Sequence, residues 1–275
     1  MKKEHASLSK SIISYWTRGI HSPEGRLNQF VPKSTPELAY VYGAILSDWN
    51  LNVHGYNCEL ILAVKDHDFA EEFAECLART LGRANQYKVR WHERKTRWVV
   101  QGTSILLYNF LNRDWRDLKA YVEHCDMCGS AFLRAFFDGE GSICGTKLAV
   151  CNSDLQLLFL AKSLLYQFGI GALGPYLTSR AGTVLKDPNT GRVYKRRKDV
   201  YTLQVRKCDL PRFAQDVGFT ILRKDNRLWK CVSEMQPVAC ISNGSPIVRK
   251  GTLISEGRHH LPIDCHRYQR GTGGI

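Results

Sequence analysis

Two short segments, VYGAILSDW (41–49) and LRAFFDGEG (133–141), constrain this chain more than anything else in it. Each reads as the end of a largely apolar helix. Each has a small residue at its third position, Gly43 or Ala135, and an acid at its eighth, Asp48 or Glu140. The acids lie 92 positions apart in a chain of 275, a sensible length for one of two fused units. A carboxylate at a helix C-terminus meets the negative end of the helix dipole, which costs about 0.3–1 kcal/mol at an exposed site. Two helices doing so at matched positions argues for use rather than drift. Small residues let helices approach more closely than the usual ~8–10 Å between axes. If the two helices pack through Gly43 and Ala135, both acids meet at one edge. Their repulsion is then relieved by a divalent cation bound through oxygen, and two-metal sites hydrolyse phosphodiesters.

The rest of the chain repeats around these helices. Pro36 and Glu37 suit a first helical turn. Strands are expected near 50–55 and 58–64. A helix follows near 67–81, where Phe69, Phe73, Leu77 and Leu81 recur every four residues and Gly82 ends it. Strands at 87–93 and 97–102 and a short helix near 103–111 complete the first unit. The second has a helix near 129–139, strands at 142–145 and 147–152, and an amphipathic helix over 154–168 stopped by Gly169. Strands at 172–178 and 200–206 flank a basic loop, and two helices close the unit near 235. The order αββαββα thus occurs twice, as an internal repeat of pattern rather than identity. The expected class is α+β, with an extension at 1–35, repeats at 36–120 and 121–235, and a flexible tail at 236–275. The extension carries one short helix at 7–17. The tail is rich in turn formers and lacks a sustained period.

Charge narrows the partner. The chain has 39 Lys and Arg against 26 Asp and Glu, a surplus of 13, and 10 of these remain without the tail. A surplus of that size favours a polyanion. No stretch approaches the ~20 apolar residues of a membrane span, and the start lacks a signal-peptide core, so a cytoplasmic protein is expected. Cys58, Cys76, Cys144, Cys151, Cys208 and Cys231 read as small core residues. Cys125 and Cys128 form the one C-x-x-C. No second pair follows at zinc-ribbon spacing, so structural zinc is the less favoured reading and a disulfide stays open.

Both acid-bearing segments resemble the motif of the LAGLIDADG homing endonucleases in their single-chain, two-motif form, over roughly 36–235. FLRAFFDGEGSI matches the family's wording closely. LAYVYGAILSDW departs by placing Trp49 where glycine is common. The resemblance implies a pseudo-two-fold pair of saddle-shaped antiparallel sheets with the motif helices packed at the interface. It implies a monomer that cuts both strands of double-stranded DNA at a long target site, in the homing of a mobile intron. Asp48 and Glu140 would be the catalytic, metal-binding acids, with the backbone carbonyls of Ser47 and Gly139 as further ligands. The metal would be Mg2+ or Mn2+, and Ca2+ would occupy the site without supporting cleavage. Asn152 fits the polar position that ends the strand before the middle helix. Val64 stands there in the first half, with Lys65 beside it. Lys224, in GFTILRKDNRL, fits the family's basic active-site residue, and a solvated helix face is the equal alternative for it.

The DNA contacts are read from strand parity and charge. Lys88, Arg90, His92 and Arg94 share one parity, and Arg97 lies on the returning strand. The second half carries Arg180, Lys186, Arg192, Lys195, Arg196, Arg197, Lys198, Arg206 and Lys207 against Asp187 and Asp199, with Tyr194 placed to stack or to meet phosphate. Two other functions share the fold family. One is an RNA maturase with intron RNA as partner, and the other is a DNA-binding regulator without cleavage. Retention of both acids argues against the last.

Overall fold

A computed structural model describes residues 30–47, 51–54, 57–186 and 191–235, together with Ser14, Thr17 and Arg18. Asp48, Trp49, most of the extension and the tail at 236–275 lie outside the described residues, and so do the expectations that fall on them.

The first motif helix, α1 (Pro36–Ser47), starts where Thr35 Oγ1 accepts the Leu38 amide at 3.2 Å. Pro36 occupies the first turn, where a missing N–H costs nothing. Strands β1 (Leu51–His54) and β2 (Asn57–Val64) lead into α2 (His67–Thr80). Phe69, Phe73 and Leu77 are buried on α2, and Gly82 turns the chain away at φ +63°. Strands β3 (Val89–His92) and β4 (Arg97–Thr103) follow, then α3 (Ile105–Leu111), capped by Ser104 Oγ on the Leu107 amide.

A helix that the sequence reading lacks comes next. In α4 (Trp115–Val122), Asp114 Oδ1 accepts the Arg116 amide at 2.9 Å, and Leu118 and Val122 bury a short apolar stripe. This helix crosses the expected repeat boundary at 120/121, so the link between the halves is itself ordered structure.

The second half runs α5 (Asp126–Glu140), β5 (Gly141–Cys144), β6 (Lys147–Asn152), α6 (Leu155–Gln167), β7 (Ala172–Ser179), β8 (Val184–Lys186), β9 (Val193–Lys195), β10 (Val200–Val205), α7 (Leu210–Asp216) and α8 (Leu222–Ser233). Asp154 Oδ1 caps α6 through the amides of Gln156 and Leu157, while its Oδ2 accepts the indole N–H of Trp115 from the linking helix. Gly169, at φ +67°, ends α6 as Gly82 ends α2.

The repeat is exact in topology. One antiparallel sheet has the order β1-β2-β4-β3, and the other has β5-β6-β10-β7. The basic loop between β7 and β10 contains the separate hairpin β8–β9. One apolar cluster runs through both halves. At its centre α1 and α5 pack on each other more extensively than any other helix pair.

Two sequence expectations need correction. Of the six cysteines read as core residues only Cys76 is buried, and Cys144 and Cys208 are exposed. Residue type does not say which face a strand residue takes: in β5 the buried positions are Gly141 and Ile143, so Cys144 faces out. Strand β3 also ends at His92. Glu93–Lys95 form a 3-10 turn closed by Thr96 at φ +48°, so Lys88 and Arg94 do not lie on the strand and the shared parity holds only for Arg90 and His92.

Candidate functional site

The close approach of α1 and α5 is built on missing side-chain atoms. A Cβ added to Gly43 would lie 2.6 Å from the Phe132 carbonyl oxygen and 3.1 Å from Ala135 Cβ. One turn on, a Cβ at Gly139 would overlap the Ser47 side chain. Gly43 and Ser47, four apart, face Ala135 and Gly139, also four apart, as two matching i, i+4 rows. The carboxy-terminal ends of both motif helices therefore lie side by side. Asp48 is the next residue after Ser47 in the chain, and Glu140 is the next after Gly139.

Glu140 is half-buried at the end of α5. Asn152, at the end of β6, donates Nδ2 to Glu140 Oε1 at 3.1 Å. Its own Oδ1 accepts the Asp154 amide at 2.8 Å. That second bond fixes which end of the amide points at the carboxylate. In the first half Val64 is buried and paired with Trp98, and its side chain has no hydrogen-bonding group to match Asn152, while Lys65 is exposed.

Lys224 is not on a solvated face. It is 6% exposed, and its Nζ donates to the carbonyl oxygens of Phe137 (3.2 Å), Asp138 (2.5 Å) and Gly141 (2.6 Å). An ammonium group there adds a donor to carbonyls at and beyond a helix end and meets the negative end of its dipole. Its three bonds bypass the Gly139 carbonyl. Burial pulls its pKa down to about 8, against the attraction of Asp138, Asp66 and Glu140.

Asp138 is the residue that sequence reasoning missed. It is 2% exposed, and its two oxygens accept the amides of Thr220 (3.0 Å) and Ile221 (3.1 Å) at the start of α8. Burial pushes its carboxyl up to about 7, against the opposing pull of those amides and of Lys224. The two helices thus cap each other: α5 offers Asp138 to the amino end of α8, and α8 returns Lys224 to the carboxy end of α5. The first half joins this clasp. Tyr40 Oη donates to Thr220 Oγ1 at 3.0 Å, Asp68 accepts the Leu222 amide, and Arg223 makes a two-pronged ion pair with Asp66. An acid two positions before Glu140 in an apolar helix was the available signal.

The outward sheet faces differ between halves. On the first sheet, Arg90, His92, Arg97 and Gln101 share one face through the pairs Arg90↔Val99 and His92↔Arg97. Arg97 also donates to the Ala63 carbonyl at 3.1 Å, and His92 Nδ1 accepts the Lys95 amide at 3.3 Å. On the second sheet the corresponding face carries Ser142, Cys144, Lys147, Cys151, Tyr176, Thr178, Thr202 and Gln204, with Lys147 as its one cation among these. Gln101, Gln204 and Tyr176 were missed there, although alternation in RWVVQGT and VYTLQV sets the glutamines opposite the apolar positions. The other predicted basic contacts of the second half sit on and beside the hairpin, where Arg180, Arg192, Tyr194, Lys195, Arg197 and Lys198 are exposed and Arg196 is partly buried. Arg206 stands apart at the far end of β10, where it pairs with Asp209 at 2.8 Å.

Residues 128–218 match the LAGLIDADG-like domain family. The paired sheets and packed motif helices align with a crystal structure of I-DmoI in complex with DNA and calcium, at a TM-score of 0.50 and 16% identity, covering 72% of this chain and all of that one. The chain has the LAGLIDADG fold. A manganese complex of I-DmoI with DNA aligns at a TM-score of 0.48 and 19% identity, over 67% of this chain and 97% of that one. Full-length WhiA from Thermatoga maritima aligns at 0.44 and 15% identity, over 77% and 65%. An uncharacterized protein of Methanocaldococcus jannaschii is 29% identical over 236 residues, 85% of each chain. Within the LAGLIDADG fold of this chain, Gly43–Ala135 and Ser47–Gly139 are among the close contacts between the motif helices. Among the described residues no helix is long and apolar enough to cross a membrane.

Proposed function

We propose that this chain is a sequence-specific DNA endonuclease that makes a metal-dependent double-strand break at a long target site, in the manner of intron homing. The observation that carries the reading is the seam at Ser47 and Gly139, because it sets the residue preceding each motif acid against its counterpart. I-DmoI, with the same fold, has been crystallised with DNA and with calcium or manganese.

The donors available at the seam are oxygens: the Glu140 carboxylate, the Asp48 carboxylate that sequence places next to Ser47, and the carbonyls of Ser47 and Gly139. Such a set suits a hard cation such as Mg2+ or Mn2+. When bound there, a divalent ion would supply charge stabilisation at the attacking and leaving oxygens of a phosphodiester. The chain's own residues do the rest. Asn152 holds one Glu140 oxygen and so orients the carboxylate. Lys224 keeps the α5 end in register, and its positive charge offsets the acid beside it. Arg90, His92, Arg97 and the hairpin cations Arg180, Arg192, Lys195, Arg196, Arg197 and Lys198 meet phosphate, while Gln101 and Gln204 face outward to base edges.

The test is a supercoiled plasmid carrying a candidate intron-insertion site, incubated with magnesium. Wild type is expected to linearise it. Asp48→Asn and Glu140→Gln are expected to stop double-strand cleavage while DNA affinity stays within a few fold, since each acid contributes little to phosphate contact. Cleavage of both strands by either variant at the wild-type rate would remove the acids from the mechanism. Tight binding without cutting by the wild-type chain would make it a DNA-binding regulator instead.

A further inference from the structure

We infer that His124, Cys125 and Cys128 form a zinc site at the junction of the two halves, at the opposite end of α5 from Glu140. The three side chains come from five consecutive residues between α4 and the first turn of α5. One ligand atom from each lies within 4.8 Å of the other two. Cys125 is the N-cap of α5 and Cys128 falls in its first turn, so the helix itself returns the second sulfur toward the first. The sulfurs are 3.5 Å apart, with Cys125 donating to Cys128. Two thiolates on one tetrahedral zinc, each at ~2.3 Å, stand about 3.8 Å from each other. The cluster is thus within a few tenths of an ångström of a bound geometry before any ion arrives. A disulfide needs the sulfurs at ~2.05 Å and has no use for the imidazole.

The electrostatics agree. The positive end of the α5 dipole favours thiolate over thiol. Two thiolates and a neutral imidazole then cancel the charge of one Zn2+, so the dipole's opposition to a cation, about 0.3–1 kcal/mol, falls on a neutral group. Cys128 is buried, Cys125 partly so, and His124 is exposed. This donor set of two sulfurs and one nitrogen selects a soft or borderline metal. The oxygen donors at the motif acids select a hard one. At 1.5 Å per residue the 15-residue α5 keeps the two sites roughly 20 Å apart. Zinc here would tie the linking helix α4 to the first turn of a motif helix, and so fix how one half enters the other.

The experiment uses the full chain, purified without chelator. Elemental analysis is expected to find one zinc per chain. Exchange with cobalt(II) is expected to give thiolate charge-transfer absorption in the near ultraviolet and the visible bands of four-coordinate cobalt. Cys125→Ser and Cys128→Ser should lose both signals. His124→Gln, at an exposed position, should stay folded by circular dichroism yet yield its zinc to a chelator that wild type resists. Stripping zinc from wild type should lower Tm by roughly 5–10 °C, with recovery on adding zinc alone. The inference fails if the purified chain holds no zinc and shows no thiolate-to-cobalt band. It also fails if the band survives in both cysteine variants, or if peptide mapping finds Cys125 and Cys128 joined as a disulfide.

Discussion

Gly43→Ala isolates the helix seam from the stability of the fold. The added methyl would begin 2.6 Å from the Phe132 carbonyl oxygen, whereas ordinary contact begins at 3.4 Å. The helices must therefore separate by about 0.8 Å at this point, and backbone rather than a mobile side chain must give. Overpacking of this kind typically costs ~1–3 kcal/mol. Replacing a helical glycine with alanine returns about 1 kcal/mol. The net loss is ~0–2 kcal/mol, or a Tm fall of no more than about 8 °C for a chain of this size. The seam continues one turn on to Ser47 and Gly139 and then to the acids. A displacement on the order of 1 Å at reacting groups can cost about a hundredfold in rate. Gly43→Ala should therefore be folded, should bind DNA nearly as wild type does, and should cleave slowly. Gly43→Leu should be worse in rate and in Tm. The assay is single-turnover cleavage with magnesium, run beside thermal melting and DNA affinity. Unchanged cleavage with unchanged melting in both variants would mean that the Gly43 contact does not set the spacing of the acids.

Other expectations are as specific. DNA affinity should fall with salt at a slope of about −0.9 in log K per phosphate neutralised; replacing Arg196, Arg197 and Lys198 with alanine should weaken binding and flatten that slope, and titration across salt concentrations would show neither if the hairpin points away from DNA. The Asp138 carboxyl, raised to about 7 in the fold from an ordinary value near 4, binds its proton more tightly folded than unfolded, so its contribution to stability is lost as pH rises from about 4 to 7. Lys224, lowered to about 8, gives the reverse, with stability gained as pH rises from about 8 to 10.5. Asp138→Asn should lose the acid-side slope in a Tm–pH profile and also cost ~1–3 kcal/mol by turning an amide N–H toward a backbone donor; profiles parallel to wild type would show that Asp138 does not titrate in this range. Asn152→Ala should slow one strand's cut more than the other, seen as a nicked plasmid intermediate, because Asn152 bonds Glu140 whereas Val64 at the matching position has no polar side chain; equal slowing of both strands would refute the asymmetry.

The elements with strong period were legible in sequence. Phe69, Phe73 and Leu77 announced α2, and Gly82 and Gly169 announced the ends of α2 and α6. The seam was legible because Gly43 and Ala135 hold the same place in matched segments. Helix α4 was passed over because its apolar stripe is only Leu118 and Val122, set among charged residues. Face assignment failed where a strand was shorter than its apparent pattern. Arg94 was placed on β3 by parity, yet the chain has already turned at His92. The role of Asp138 was not legible, and residue type left Lys224 balanced between an active-site residue and a solvated face, because each depends on partners more than 80 residues away. A lone lysine in RKDNRL looks like solvated surface until the carbonyls it serves are in place.

Those long-range partners also explain why the two halves, alike in topology, are not alike at the site. The position matching Asp138 in the first motif is Leu46, and the position matching Asn152 is Val64. The first half therefore supplies packing where the second supplies hydrogen bonds. Yet the first half is not independent of the clasp, since Tyr40, Asp66 and Asp68 reach α8 through Thr220, Arg223 and the Leu222 amide. Helix α8 is thus held by both halves at its amino end while its Lys224 holds the end of α5. A movement of one half against the other would strain the same residues that fix Glu140. The matched motif helices bring Ser47 and Gly139 together, and the diverged residues around Glu140 make its position depend on how the halves are joined.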